Sequence, residues 1–207
     1  MLKRKMYDKL VEWKNASARK ALILLGARQT GKTYIVKQFG RENYDNLIYV
    51  NFLEDEESGR FLASASSAQE LVSRLSLING RGIQPGTLVF FDEVQHLGHD
   101  IVTLSKYLIE DGRFDLVLSG SLLGTALSGV TSFPVGYARI LRMLPLDFEE
   151  FCWATGVSDD IIGRIRENYR EKRPFDEPLH NALVQIFRQY IAVGGMPEAV
   201  QSFAEQN

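Results

Sequence analysis

This chain has a single cysteine, Cys152, among 207 residues. One thiol excludes an internal disulfide framework and suits a reducing, cytoplasmic setting. It stands in Phe151-Cys152-Trp153, where a small packed apolar side chain is expected rather than a nucleophile. No apolar run approaches the length that crosses a bilayer, which predicts no membrane partner. The basic start Met1-Leu2-Lys3-Arg4-Lys5-Met6-Tyr7 lacks the apolar segment of a signal peptide. Net charge is also scarce: 24 Lys and Arg against 26 Asp and Glu give −2, so no overall polyelectrolyte character points to nucleic acid. Repeats and low-complexity segments are missing, as is the Asn-Lys-x-Asp pattern that selects guanine. His96-Leu97-Gly98-His99 has a spacing that suits a metal on a helical turn, but no third ligand stands nearby, so a solvated or capping pair is expected.

What is present begins at Gly26-Ala27-Arg28-Gln29-Thr30-Gly31-Lys32-Thr33, a full match to the phosphate loop G-x-x-x-x-G-K-[ST]. The apolar run Ala21-Leu22-Ile23-Leu24-Leu25 before it reads as a buried parallel strand, and Tyr34-Ile35-Val36-Lys37-Gln38-Phe39 after it has helical spacing. Glycines let successive N–H groups converge on one point, where the helix dipole and the Lys32 charge favour a polyphosphate. Arg28 faces either phosphate or solvent. A second signal is Thr87-Leu88-Val89-Phe90-Phe91-Asp92-Glu93, an apolar strand tipped by two carboxylates. The tip Asp92, beside Thr33, is the expected Mg²⁺ site of a P-loop enzyme. Glu93 is placed to polarise an attacking water as general base, the alternative being a solvated strand-end charge.

Five short strands separated by helical patterns predict an α/β fold: a three-layer P-loop NTPase with a parallel five-stranded sheet and helices on both faces, then a small all-helical lid. The strands are 21–25, 46–52, 87–93, 114–119 and 138–144. The expected organisation is an N-terminal amphipathic helix over 1–19, a nucleotide-binding core over 20–144 and the lid over 145–207. The fourth strand ends in Ser119-Gly120-Ser121, and either serine is placed to touch the γ-phosphate or the water. Leu179, Leu183, Ile186, Phe187, Tyr190 and Ile191 form the best helical stripe of the chain. Two basic runs, Lys3 to Lys20 and Arg164 to Arg173, are candidates for nucleic-acid phosphates, but both are interleaved with acids or apolar residues, as solvated helix faces are.

With these motifs the chain resembles the prokaryotic AAA-superfamily ATPases that carry an uncharacterised C-terminal domain, for which a nuclease-related character is one reading. The resemblance rests on Gly26 to Thr33, Val50-Asn51-Phe52-Leu53-Glu54, Phe90-Phe91-Asp92-Glu93-Val94-Gln95, Leu118-Ser119-Gly120-Ser121-Leu122-Leu123, Ser132-Phe133-Pro134-Val135-Gly136, Leu144-Pro145-Leu146-Asp147-Phe148-Glu149-Glu150-Phe151 and Gly194-Gly195-Met196-Pro197-Glu198. It implies ATP with Mg²⁺, hydrolysis to ADP and phosphate, and only the ATPase half of the longer relatives. It leaves open a homo-oligomer in which Arg139 or Arg142 reaches the γ-phosphate, because Gly136 is followed by Tyr137 where related ATPases often carry Gly-Arg. Two other functions use the same loop: an ATP-gated switch or nucleic-acid-linked module with little hydrolysis, and a small-molecule phosphotransferase.

Overall fold

The computed structural model describes residues 2–16, 20–80, 82–97, 100–121 and 138–206. Five strands form one all-parallel sheet: β1 (Ala21–Leu25), β2 (Asn46–Asn51), β3 (Thr87–Asp92), β4 (Phe114–Gly120) and β5 (Ala138–Arg142), in the order β2-β3-β4-β1-β5. The phosphate-loop strand β1 is therefore separated from the acid-tipped β3 by β4, whose end carries the two serines. β3 and β4 are buried along their whole length, which is why they read as continuous apolar runs.

Side chains alternate across the sheet and feed two cores. Ile23, Val50, Phe91 and Leu118 face a core closed by α3 (Glu56–Ala63), α4 (Ala68–Asn79) and α5 (Asp100–Asp111), through Leu62, Leu71, Leu75, Leu104 and Leu108. Leu22, Leu24, Phe90 and Val117 face the other, closed by α1 (Lys5–Lys14) and α2 (Lys32–Asn43) through Met6, Leu10, Trp13, Ile35, Val36 and Phe39. The expected three-layer α/β fold is thus present. The acidic run after β2 starts α3: the Asp55 side chain accepts from Ser58 N–H at 2.9 Å and caps it.

The chain divides into two compact units, Met6–Met143 and Met1–Lys5 with Leu144–Asn207. The second unit holds α6 (Phe148–Ala154), α7 (Asp159–Glu171), α8 (Glu177–Val193) and α9 (Pro197–Gln206). Its core is small: Leu146, Phe151 and Val200, supported by Ile186, Tyr190, Val193 and Phe203. The stripe on α8 is real but none of its residues is fully buried, and Ile191 is 68% exposed, because this unit offers so little core to face. Asp147 and Glu150 form a capping box at the start of α6. Glu150 is also ion-paired with Arg4 at 3.2 Å, both side chains under one-tenth exposed.

Cys152 lies fully buried on α6, and that burial, with the charges of Glu149 and Asp147, pushes its thiol up to about 11. The folded protein is expected to resist iodoacetamide at pH 8 and to label once denatured, since the thiolate is the reactive form. Mass spectrometry over time checks this; rapid labelling of the folded chain would contradict a closed α6.

Candidate functional site

β1 delivers the chain into the loop at Gly26, where a side chain cannot stand: a Cβ there would lie 2.4 Å from the carbonyl oxygen of Met143. Met143 N–H in turn donates to Leu25 O at 2.7 Å. Gln29 (φ 63°) and Gly31 (φ 90°) take left-handed backbone that curls the loop before α2. The helices α3, α4, α6, α7 and α8 each begin with a side-chain cap. α2 begins at Gly31 with none, so its first N–H groups and its dipole are left for an anion. Thr30 is buried and ties the loop by donating to Ala27 O at 3.0 Å. Ala27 and Arg28 are exposed.

Lys32 is 5% exposed and its ammonium donates to Gly26 O and Ala27 O, at 3.0 and 2.8 Å. Burial lowers its pKa from the ordinary lysine value; Glu93 and Asp92 pull it back up, and Arg28 lowers it further. The charge is parked on loop carbonyls at the place where phosphate oxygens would compete for it.

Asp92, at the tip of β3, is 1% exposed and accepts from four donors. Its Oδ2 accepts from Thr33 Oγ1 at 2.5 Å and from the Tyr49 hydroxyl at 3.5 Å. Its Oδ1 accepts from the Glu93 N–H at 3.0 Å and from Ser119 Oγ. The two serines are therefore divided: Ser119 holds Asp92, and Ser121 Oγ donates to Glu93 Oε2 at 3.4 Å. Glu93 itself sits at φ 52°, an uncommon conformation for a residue with a Cβ and one that clusters at functional sites.

Thr33 and Asp92 supply a hydroxyl and a carboxylate 2.5 Å apart. Hard oxygen donors of this kind, few in number and leaving room for waters and phosphate oxygens, fit Mg²⁺. Among the described residues no cluster of three or more His, Cys, Asp or Glu stands ready for a metal held by protein alone. His96 is exposed; His99 lies outside the described residues, as do Gly136, Tyr137 and the motif 132–136.

Tyr49 and Gln95 join the site without having been singled out as site residues by sequence. Tyr49 is reached through the β2–β3 register, which sets Tyr49 opposite Phe90. Its hydroxyl pKa is pushed up to about 12 by burial and by the charge of Asp92, and Lys37 Nζ stands 3.4 Å from its ring centroid. No sequence signal marks a tyrosine in mid-strand as a neighbour of an acid two strands' worth of chain away. Arg139 and Arg142 lie on the edge strand β5, in register with Leu22 and Leu25. Arg139 pairs loosely with Glu12 at 3.9 Å, and neither arginine is bonded to a loop residue among the described residues. In the second unit the basic side chains largely meet acids: Lys3 with Asp159, Lys5 with Asp147 and Glu149, Arg164 with Asp176, Arg166 with Glu149, and Arg173 with Glu171.

A glycine loop open to an anion, with a buried Asp92 and a half-buried Glu93 one β4-width away, defines a P-loop nucleotide-binding protein of the ATPase type. Residues 18–152 match the AAA domain family, and the chain belongs to it. No curated protein matches the chain by sequence. Among solved structures, a Drosophila ORC chain, from a structure described as bound to DNA, is similar over 96% of this chain and 58% of its own, at 14% identity and a TM-score of 0.57. C. elegans PCH-2 is similar over 84% of this chain and 46% of its own, at 15% identity and a TM-score of 0.41. The ORC likeness is one of fold. This chain spans less than two thirds of either structure's chain. No helix among the described residues is long and apolar enough to cross a membrane.

Proposed function

We propose that this protein binds ATP with Mg²⁺ and hydrolyses it to ADP and phosphate, using the cycle to drive or gate a conformational change in which the helical unit acts as a lid. The observation that carries this is the convergence of Thr33, Asp92 and Glu93 at the C-terminal edge of the sheet, Thr33 Oγ1 on Asp92 at 2.5 Å and Glu93 next in the chain. Backbone N–H groups of residues 26 to 33 cradle the phosphates, and Lys32 leaves its loop carbonyls to clamp the β- and γ-phosphates. Thr33 and Asp92 would hold Mg²⁺, which would supply positive charge to offset that of the phosphates. Glu93 takes the proton of a water whose oxygen bonds to the γ-phosphorus while the bond to the leaving ADP oxygen breaks. Ser119 and Ser121 connect these two carboxylates to β4.

The test is Mg²⁺-dependent phosphate release over a range of protein concentration, with ATP affinity measured in parallel. Lys32→Ala is expected to weaken ATP binding on the order of 100-fold, about 2.8 kcal/mol at 1.4 kcal/mol per tenfold. Unchanged affinity would remove Lys32 from the phosphate site. Turnover per subunit that rises with concentration supports a homo-oligomer with an arginine, Arg139 or Arg142, supplied in trans. ATP bound without turnover at any concentration assigns a switch instead. Turnover that needs an added acceptor assigns a phosphotransferase.

A further inference from the structure

Gln95 is the second residue of the short 3-10 turn Val94–Leu97, and the left-handed backbone of Glu93 folds that turn back over its own carboxylate. Gln95 Nε2 donates to Glu93 Oε2 at 2.5 Å. Ser121 Oγ approaches the same oxygen at 3.4 Å. Both donors thus engage Oε2, and among the described residues Glu93 Oε1 has no donor. The carboxylate plane is fixed from one side while the other oxygen stays available.

The amide must face Glu93 with its nitrogen, because two acceptor oxygens facing each other would repel. Its own oxygen is then turned elsewhere: Gln95 Oε1 is buried and, among the described residues, accepts no hydrogen bond. Such an orphan costs roughly 1–3 kcal/mol, and native structures rarely keep one without a purpose. An amide spans about 2.3 Å from nitrogen to oxygen, so this acceptor lies less than about 5 Å from Glu93 Oε2. Closed off in this way, it cannot also meet the attacking water, so the amide nitrogen carries the role.

We propose that Gln95 is a positioning residue for the hydrolytic step: its N–H holds Glu93 Oε2 so that Oε1 is the oxygen that receives the proton of the attacking water. This rests on the ATPase reading and gives Glu93 a defined aim. A residue that only closed the turn would serve equally well with either amide end satisfied.

Gln95→Met keeps length and removes donor and acceptor. Its kcat is expected to fall about 10- to 50-fold, within the range of a positioned proton-transfer group, with KM, ATP affinity and melting temperature close to wild type. Gln95→Glu keeps the shape, sets an acid against an acid, and is expected to lower kcat at least as far; it decides the matter if Gln95→Met does not fold. A second readout needs no turnover: in the nucleotide-free protein, one glutamine side-chain N–H signal is expected well downfield by NMR, absent in Gln95→Met and displaced in Glu93→Gln. Turnover in Gln95→Met within twofold of wild type, or above it, overturns this inference alone, as does a loss confined to ATP affinity. Absence of turnover in wild type overturns the ATPase reading and this inference with it.

Discussion

Glu93→Gln is expected to bind ATP as wild type does and to hydrolyse it on the order of 10³-fold more slowly, about 4 kcal/mol of barrier at 1.36 kcal/mol per tenfold. The amide has the carboxylate's shape, so the turn and the Ser121 contact survive. Asp92 keeps its own donors, Thr33, Tyr49, Ser119 and the main-chain N–H of residue 93, none of which depends on the Glu93 charge. Lys32 loses one nearby anion but keeps Asp92 and its loop carbonyls. What disappears is the carboxylate oxygen at the tip of β3 that takes no hydrogen bond from any described residue. Phosphate release and ATP affinity measured on the same sample separate these effects. Turnover retained in the variant would leave Glu93 a strand-end charge, and a parallel collapse of ATP affinity would make it part of the binding site.

Gly195→Ala is expected to be among the most damaging substitutions outside the loop. A Cβ at 195 would lie 2.2 Å from the carbonyl oxygen of Leu146 and 3.1 Å from its nitrogen. Both are backbone atoms, so no rotamer change relieves the clash. Leu146 N–H donates to Gly195 O at 2.7 Å, and Leu146 O accepts from the Tyr190 hydroxyl at 3.0 Å. Separating the two segments breaks the first bond and pulls Leu146 away from Phe151 and Val200, with which it forms the unit's small core cluster. Overpacking of about 1–3 kcal/mol and a lost bond of about 1 kcal/mol together make roughly 2–4 kcal/mol, a large share of a total near 5–15 kcal/mol. Urea unfolding followed by far-UV circular dichroism reads it. Gly163→Ala in α7, where the new methyl meets nothing within 4 Å, is the control and is expected to stabilise by about 1 kcal/mol. Equal midpoints for the two variants would contradict the backbone contact.

That contact also marks where sequence reading stopped. Leu144-Pro145-Leu146 and Gly194-Gly195-Met196-Pro197 stood out as motifs, but nothing in one dimension says that they are halves of one bond, some fifty positions apart. The phosphate loop and the acid pair were legible because their chemistry is local: glycines that curl, a lysine, an apolar strand ending in carboxylates. Strand order was not, since parallel neighbours are chosen by crossovers that leave no residue signature, and β4 enters between β1 and β3 unannounced. The two serines illustrate the same limit. Both lie at one strand tip, two positions apart and so on the same side of the pleat, and only the three-dimensional contacts assign Ser119 to Asp92 and Ser121 to Glu93. The stripe on α8 misled in degree: apolar periodicity reports which side of a helix turns inward, not how much protein there is to cover it.

The helical unit is built from both ends of the chain, Met1–Lys5 and Leu144–Asn207. It is therefore not a contiguous piece of the gene. A fragment beginning at residue 144 would carry Glu150 into a buried position without the guanidinium of Arg4 that neutralises it, and an uncompensated buried charge costs several kcal/mol. During synthesis residues 1–5 are made well before residues 144–207, so this unit cannot close until the nucleotide-binding core between them has been made. A tag or fusion joined to the N-terminus would be anchored on the helical unit rather than on the nucleotide-binding sheet that follows it in sequence.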